Sequence, residues 1–234
     1  MIIEGSISVK AAILNNKREI EVVYIDKEKK TKDFNFIRKI CKNNNIKIEE
    51  LNKDELLSLA SGKTFGGILA SVSQRKQDTF DDTSIFYLDG IEDPFNLGYC
   101  MRTLYAFGFK NVLLSSRDYT NMEAQLLKSS AGAFDMLNIK IIEDDIKEIK
   151  EYKDNGYYLY GLFRGEGSKD VFDTTFNTKA LYMLGGEKRG IKSDLLNMCD
   201  EYLYISYGSD FRNSLNVCGA LDVLATLIYK QLRK

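Results

Sequence analysis

The sequence predicts an α/β protein in two modules: a small N-terminal α/β unit, then a mostly parallel sheet covered by helices on both faces. Short runs rich in Ile, Val, Leu and Tyr alternate with segments of helical period along the chain. Charge divides the chain: residues 1–76 hold 15 Lys/Arg against 10 Asp/Glu, and residues 77–234 hold 18 against 24. A polar stretch, QRKQDTFDDT at 74–83, separates the two. The expected organisation is 1–76, a linker at 77–83, and 84–234.

In the first module, residues 6–15 predict a short helix stopped by Asn15 and Asn16. The β-branched run 20–25 (IEVVYI) predicts a strand. Apolar residues at 34, 36, 37, 40 and 41 predict a helix over 34–43. A short strand follows at 46–48. Asn52 caps a helix through Leu59, with Glu55 three residues on as in a capping box. Residues 66–72 complete the module as a strand.

The second module predicts strands at 85–88, 112–114, 157–163, 180–184 and 202–205, with an extended segment at 137–142. Helices are expected at 97–107, ended by Gly108, and at 122–130, 144–152, 193–198 and 214–232. Strands separated by helices imply a parallel sheet buried on both faces.

Composition excludes several chemistries. There is no His, no Trp and one Pro. Without imidazole, Ser-His or Cys-His nucleophile pairs and His-ligated metals are excluded. Cys41, Cys100, Cys199 and Cys218 show no C-x-x-C pairing, so no structural metal is expected, and the thiols read as reduced in a cytoplasm. No apolar run approaches the roughly 20 residues of a membrane span, and the N-terminus carries no signal-peptide core. Residues 185–193 come within one position of a P-loop, but Ile191 displaces Lys192 from the required place. No G-x-G-x-x-G follows a strand.

Three segments carry residues that a plain core does not need. The first, DPFNLGYCMRT at 93–103, follows a strand and enters a helix. Asn96 is placed to cap that helix, and Arg102 can reach back towards the sheet's carboxyl edge only through its long side chain; a capped helix with a surface Arg explains the same residues. The second, LGGEKRG at 184–190, sets glycines around Glu187 at the carboxyl end of a strand, where parallel sheets bind ligands. A sharp strand-to-helix turn explains the same glycines. The third joins ISYG at 205–208 to SLNV at 214–217. Ser214 suits a helix start, whereas Asn216 lies inside the first turn and is less needed there.

Together these segments resemble the three motifs of the SpoU/TrmH branch of the SPOUT superfamily. Those proteins transfer a methyl group from S-adenosylmethionine to a ribose 2′-hydroxyl of RNA. Asn96, Gly98, Arg102 and Thr103 match N-x-G-x-x-x-R-T. Leu184, Gly185, Glu187 and Gly190 match L-G-x-E-x-x-G, and Ser214 to Val217 match S-L-N-V. The SAGA segment 130–133 is also similar to one in the family. Residues 9–14 and 65–70 resemble the substrate-binding domain fused to many members, which is similar to small RNA-binding ribosomal proteins. Phe65 stands where many relatives have His. Ser206 and Tyr207 stand where Pro and Met are usual.

The resemblance implies a trefoil-knotted catalytic module, a homodimer, S-adenosylmethionine as cofactor and ribosomal or transfer RNA as partner. It implies Asn96, Arg102, Glu187, Ser214 and Asn216 as catalytic residues. It implies that Leu162, Phe163, Gly185, Gly190, Ile205, Tyr207, Ser214 and Leu215 hold the cofactor. Much of the RNA affinity is expected from the basic residues 1–76. A catalytically silent RNA-binding or ribosome-assembly protein on the same fold is the alternative.

Overall fold

The computed structural model describes residues 1–62 and 65–233. The chain opens with β1 (Ile2–Glu4), α1 (Ser6–Asn15), β2 (Ile20–Asp26), α2 (Lys32–Asn43), β3 (Ile48–Leu51), α3 (Lys53–Leu59) and β4 (Ile68–Val72). It continues with β5 (Ile85–Asp89), α4 (Pro94–Ala106), β6 (Asn111–Ser115), α5 (Glu123–Ser129), β7 (Asn138–Ile142) and α6 (Asp145–Asp154). It ends with β8 (Tyr158–Leu162), β9 (Lys169–Asp170), β10 (Ala180–Gly185), α7 (Ser193–Leu196), β11 (Glu201–Tyr204) and α8 (Val217–Leu232). The expected alternation of strands and helices is present. Strands β1 and β9 are additions, and β3 begins at Ile48, where the expected strand ended.

The chain forms two compact units. One is Met1–Lys76 with Tyr119–Met136; the other is Gln77–Asp118 with Leu137–Lys234. The segment around the SAGA motif therefore clusters with the N-terminal residues, although the sequence reading gave it to the second module. The expected linker at 77–83 is bonded into the second unit. Asp78 donates its N–H to the Ile139 carbonyl at 3.1 Å, and its carboxylate accepts the Ile139 N–H at 3.0 Å. The buried Asn111 amide donates to the Asp81 carboxylate at 2.6 Å.

The first unit has a four-stranded sheet in the order β1-β4-β2-β3. Strand β4 runs antiparallel to both β1 and β2, and β3 joins β2 in parallel. Asn52 and Glu55 form the anticipated reciprocal cap on α3, at 2.9 and 2.7 Å.

Residues 119–136 are held in this unit by an ion cluster. Arg18 is 2% exposed. Its Nε and Nη2 donate to the two Asp135 carboxylate oxygens at 2.8 Å, and Nη1 donates to Glu123 at 2.8 Å. Asp135 is fully buried. Burial opposes the Arg18 charge, but the hydrogen bonds and charge of Asp135, and then of Glu123, outweigh it and raise the guanidinium pKa. The planar fork suits this two-oxygen grip in a way a lysine could not.

The second unit has seven strands, in the order β7-β6-β5-β10-β8-β11-β9, with every pairing parallel. The central strands are buried on both faces, so they read as continuous apolar runs such as IFYL and ALYML. One face packs Tyr87, Leu113, Leu159, Leu181 and Met183 into a core with Ile149 and Leu195. A run of aromatic rings, Phe86–Tyr182–Tyr160, stacks across β5, β10 and β8 with centroids 5.0 and 5.1 Å apart. Helices α4 and α8 pack together. Strand order reverses between β5 and β10, the kind of switch point where parallel sheets leave a ligand crevice. No helix is long and apolar enough to cross a membrane among the described residues.

Arg18→Ala takes the two-pronged partner from Asp135, leaving it Arg75 Nε at 3.7 Å, and removes the ion pair to Glu123. It is expected to destabilise the first unit by about 3–5 kcal/mol, read as a lower urea midpoint. A loss below about 1 kcal/mol, the level of an exposed pair, would show that the cluster contributes little.

Candidate active site

The site is built at the carboxyl edge of the central strands. Strand β10 ends at Gly185, and the chain turns at once. A Cβ on Gly185 would lie 1.9 Å from the Gly190 carbonyl carbon, and one on Gly186 would lie 2.3 Å from the Gly90 oxygen. Only glycine fits at either position. The Gly186 N–H donates to the Asp89 carbonyl at 2.7 Å, and the Gly190 N–H to the Gly186 carbonyl at 2.9 Å. Below the turn, the fully buried Asp89 carboxylate accepts the Lys192 N–H at 3.3 Å and faces Arg189 at 3.5 Å.

This closed turn presents Glu187 to the start of α4. Asn96 Nδ2 donates to Glu187 Oε1 at 2.9 Å, joining residues of the first two motifs. Asn96 was expected to cap α4, and the structure corrects this. Asp93 is the cap: its carboxylate accepts the N–H of Phe95 at 3.1 Å and of Asn96 at 3.4 Å. Pro94 occupies the first helical position, where a missing N–H costs nothing. The Asn96 amide is therefore free to reach Glu187.

The third motif needs the opposite correction. Helix α8 begins at Val217 rather than at Ser214, and Asn216 is its cap, accepting the Gly219 N–H at 2.9 Å. Ser214 and Leu215 precede the helix and are exposed. The Leu215 N–H donates to the Tyr207 hydroxyl at 3.1 Å, so Tyr207 clips the two ends of the 205–215 loop together. The Arg164 guanidinium lies over the Tyr207 ring, 5.2 Å from its centroid.

A cavity of about 380 Å³ lies between these loops, lined by residues 162–164, 184–190, 203–205, 207, 214, 215, 217 and 220. Every residue expected to hold the cofactor lines it: Leu162, Phe163, Gly185, Gly190, Ile205, Tyr207, Ser214 and Leu215. Glu187 also lines it, whereas Asn96, Arg102 and Asn216 do not. Arg102 is exposed on α4 and takes part in no ion pair among the described residues. The cavity size falls in the ordinary small-ligand range of about 300–1,000 Å³. Its walls pair the apolar side chains of Leu162, Leu203, Ile205 and Val217 with backbone groups of the glycine turn. These suit a molecule with a flat ring system and several hydrogen-bonding groups. Sequence reasoning placed Gly186 among the glycines around Glu187 without seeing how tightly it packs, and it missed Arg164 and the Tyr207–Leu215 clip. Both depend on contacts between loops that no local pattern marks. Among the described residues, no group of His, Cys, Asp and Glu could hold a metal ion.

A parallel sheet with this glycine turn and loop-walled crevice defines an α/β enzyme that binds its ligand at the strand carboxyl ends. The family model of the SpoU rRNA Methylase family matches residues 83–226, and the chain belongs to that family. It is thereby an RNA methyltransferase dependent on S-adenosylmethionine. A second model, RNA 2′-O ribose methyltransferase substrate binding, matches residues 2–77.

Mitochondrial rRNA methyltransferase 1 of Schizosaccharomyces pombe is 25% identical, covering 94% of this chain and 86% of that protein. A Staphylococcus saprophyticus protein assigned to the TrmH family of tRNA/rRNA methyltransferases is 26% identical, over 100% and 96%. The fold matches a TrmH-family structure from Porphyromonas gingivalis with a TM-score of 0.83, at 19% identity over 98% and 89% of the two chains. It also matches the SpoU methyltransferase AviRb from Streptomyces viridochromogenes in complex with AdoMet, with a TM-score of 0.81 at 18% identity over 99% and 89%.

Gly185→Ala must push the turn off β10. It is expected to cost about 1–3 kcal/mol of stability, as overpacking does, and to remove calorimetrically detectable S-adenosylmethionine binding. Unchanged cofactor affinity would show that the turn does not shape the cavity.

Proposed function

We propose that this chain methylates a ribose 2′-hydroxyl of ribosomal or transfer RNA, with the cavity at the glycine turn holding S-adenosylmethionine. The observation that carries this reading is the Asn96–Glu187 hydrogen bond at the cavity's edge, which brings two distant motifs to one point. When bound, the cofactor supplies an electrophilic methyl group, so no covalent enzyme intermediate is needed. The protein's work is to position the acceptor and stabilise developing negative charge. Glu187 fixes the Asn96 amide, and Asn216 fixes the start of α8 behind Ser214 and Leu215. The Arg102 guanidinium offers hydrogen-bond donors and no acceptor. It binds the RNA phosphate beside the target and polarises the hydroxyl, while the proton leaves through solvent or phosphate.

Residues 1–76 act as the RNA-binding domain in this reading, and residues 84–234 as the methyltransferase domain. The excess of Lys and Arg in the first supports that division. The catalytic part forms a homodimer and contains a trefoil knot. Exposed Phe95, Tyr99 and Tyr105 on α4, with Tyr229 on α8, support an interface there. The protein works in the cytoplasm, in keeping with four free cysteines. The intact Asn96, Arg102, Glu187, Ser214 and Asn216 disfavour a catalytically silent RNA-binding protein.

Arg102→Ala is expected to abolish methyl transfer while S-adenosylmethionine binding, followed calorimetrically, persists. Retained turnover would remove Arg102 from the mechanism. Replacing Lys27, Lys30 and Lys32 together by Gln should weaken RNA binding and make its log–log salt dependence shallower by roughly two, for phosphate contacts on a single strand. An unchanged slope would place the RNA-binding charge elsewhere.

A further inference from the structure

Two of the four cysteines meet beside the site. Cys100, on α4, is fully buried, and its thiol lies 3.9 Å from that of Cys218, the second residue of α8. Cys218 is only partly buried. Its Sγ also lies 3.3 Å from the Asn96 carbonyl oxygen and 3.7 Å from Asn96 Oδ1. One thiol pair thus touches the first motif from behind and sits directly after the third.

The two sulfurs are chemically unequal. Donation from the Cys100 thiol lowers the Cys218 pKa against the opposing burial and the charges of Asp222, Glu187 and Asp93, and a position in the first turn of a helix generally favours a thiolate. That same contact, with burial, raises the Cys100 pKa. The other two cysteines are isolated and held as thiols, since burial pushes Cys41 up to about 11 and Cys199 up to about 12. A partly buried sulfur of lowered pKa next to a fully buried thiol that can resolve it is an arrangement found in redox-responsive sites.

We propose that Cys100 and Cys218 form a peroxide-sensitive dithiol whose oxidation to an intrachain disulfide ties α4 to α8 and weakens cofactor binding. The Cys218 thiolate attacks one oxygen of hydrogen peroxide, breaking the O–O bond and giving a sulfenic acid; the departing hydroxide takes a proton to become water. Cys100 then loses its proton and attacks the Cys218 sulfur, forming the S–S bond and releasing the sulfenic oxygen as a second water. Two thiols are oxidised as one peroxide is reduced. The bond brings the sulfurs from 3.9 Å to about 2.05 Å. This contraction draws the first turn of α8 towards α4. Ser214, Leu215 and Val217, which line the cavity, lie immediately before Cys218. Oxidation also ends the hydrogen bond that Cys218, in its protonated form, donates to the Asn96 carbonyl. The disulfide is independent of what the cavity holds; its effect on affinity rests on the proposed cofactor site.

The test treats the reduced full-length protein with hydrogen peroxide, maps disulfide-linked peptides by mass spectrometry, and titrates S-adenosylmethionine calorimetrically before and after. A peptide pair joining Cys100 to Cys218 is expected. It should come with roughly a tenfold or greater loss of affinity, about 1.4 kcal/mol, reversed by dithiothreitol. Cys100→Ala should bind cofactor normally when reduced and form no linkage. Only sulfinic acid at Cys218, or linkage through Cys41 or Cys199, would overturn the dithiol. Linkage with unchanged affinity would overturn its effect on the cofactor site. Failure of the reduced protein to bind S-adenosylmethionine would count against the functional reading and leave the peptide map to decide the disulfide.

Discussion

The edge of the candidate site depends on two close approaches of glycine backbone where no side chain fits. Gly185 closes on Gly190, and Gly186 closes on Gly90. This contact makes the chain reverse at the end of β10 within a few residues. The reversal has two results. It sets Glu187 at hydrogen-bonding distance from Asn96, and it leaves a crevice on the other side, towards β8 and β11. A larger residue at either position would separate those results, because the turn could no longer follow the sheet edge. The Asp89 carboxylate beneath the turn holds its far end through Lys192 and Arg189. The site is therefore a consequence of main-chain packing first and of side-chain chemistry second.

Much of this was legible in the sequence. The central strands are buried on both faces, so their apolar runs stand out, and the helices between them keep a clear period. The loops that wall the cavity were legible through motif order, since Gly185, Gly190, Ser214 and Leu215 all converge on it. Strands β1 and β9 were not legible. They have three and two residues, too few for any alternation to register, and exist through pairing with β4 and β11.

The two asparagines show a different limit. Both Asn96 and Asn216 have the chemistry of a helix cap, and the sequence reading gave that role to Asn96. The structure exchanges them, because Asp93 followed by Pro94 already starts α4, whereas nothing after Gly208 starts α8 before Asn216. Which asparagine is spare for chemistry is decided by its neighbours. The partners of Arg18 were beyond reach for a simpler reason. They lie 105 and 117 residues away, and no local pattern marks a buried ion pair of that span.

The Arg18 cluster also bears on the order in which the protein takes shape. During synthesis the first seventy-odd residues leave the ribosome long before Asp135 does. Until then Arg18 has neither carboxylate and cannot be desolvated without a large penalty. The N-terminal unit, though it contains a whole four-stranded sheet, is therefore finished only after β5, α4 and β6 have emerged. Most of its residues are synthesised early, but its core has all its parts only once residues 119–136 have emerged, while the other unit still awaits residues 137–234.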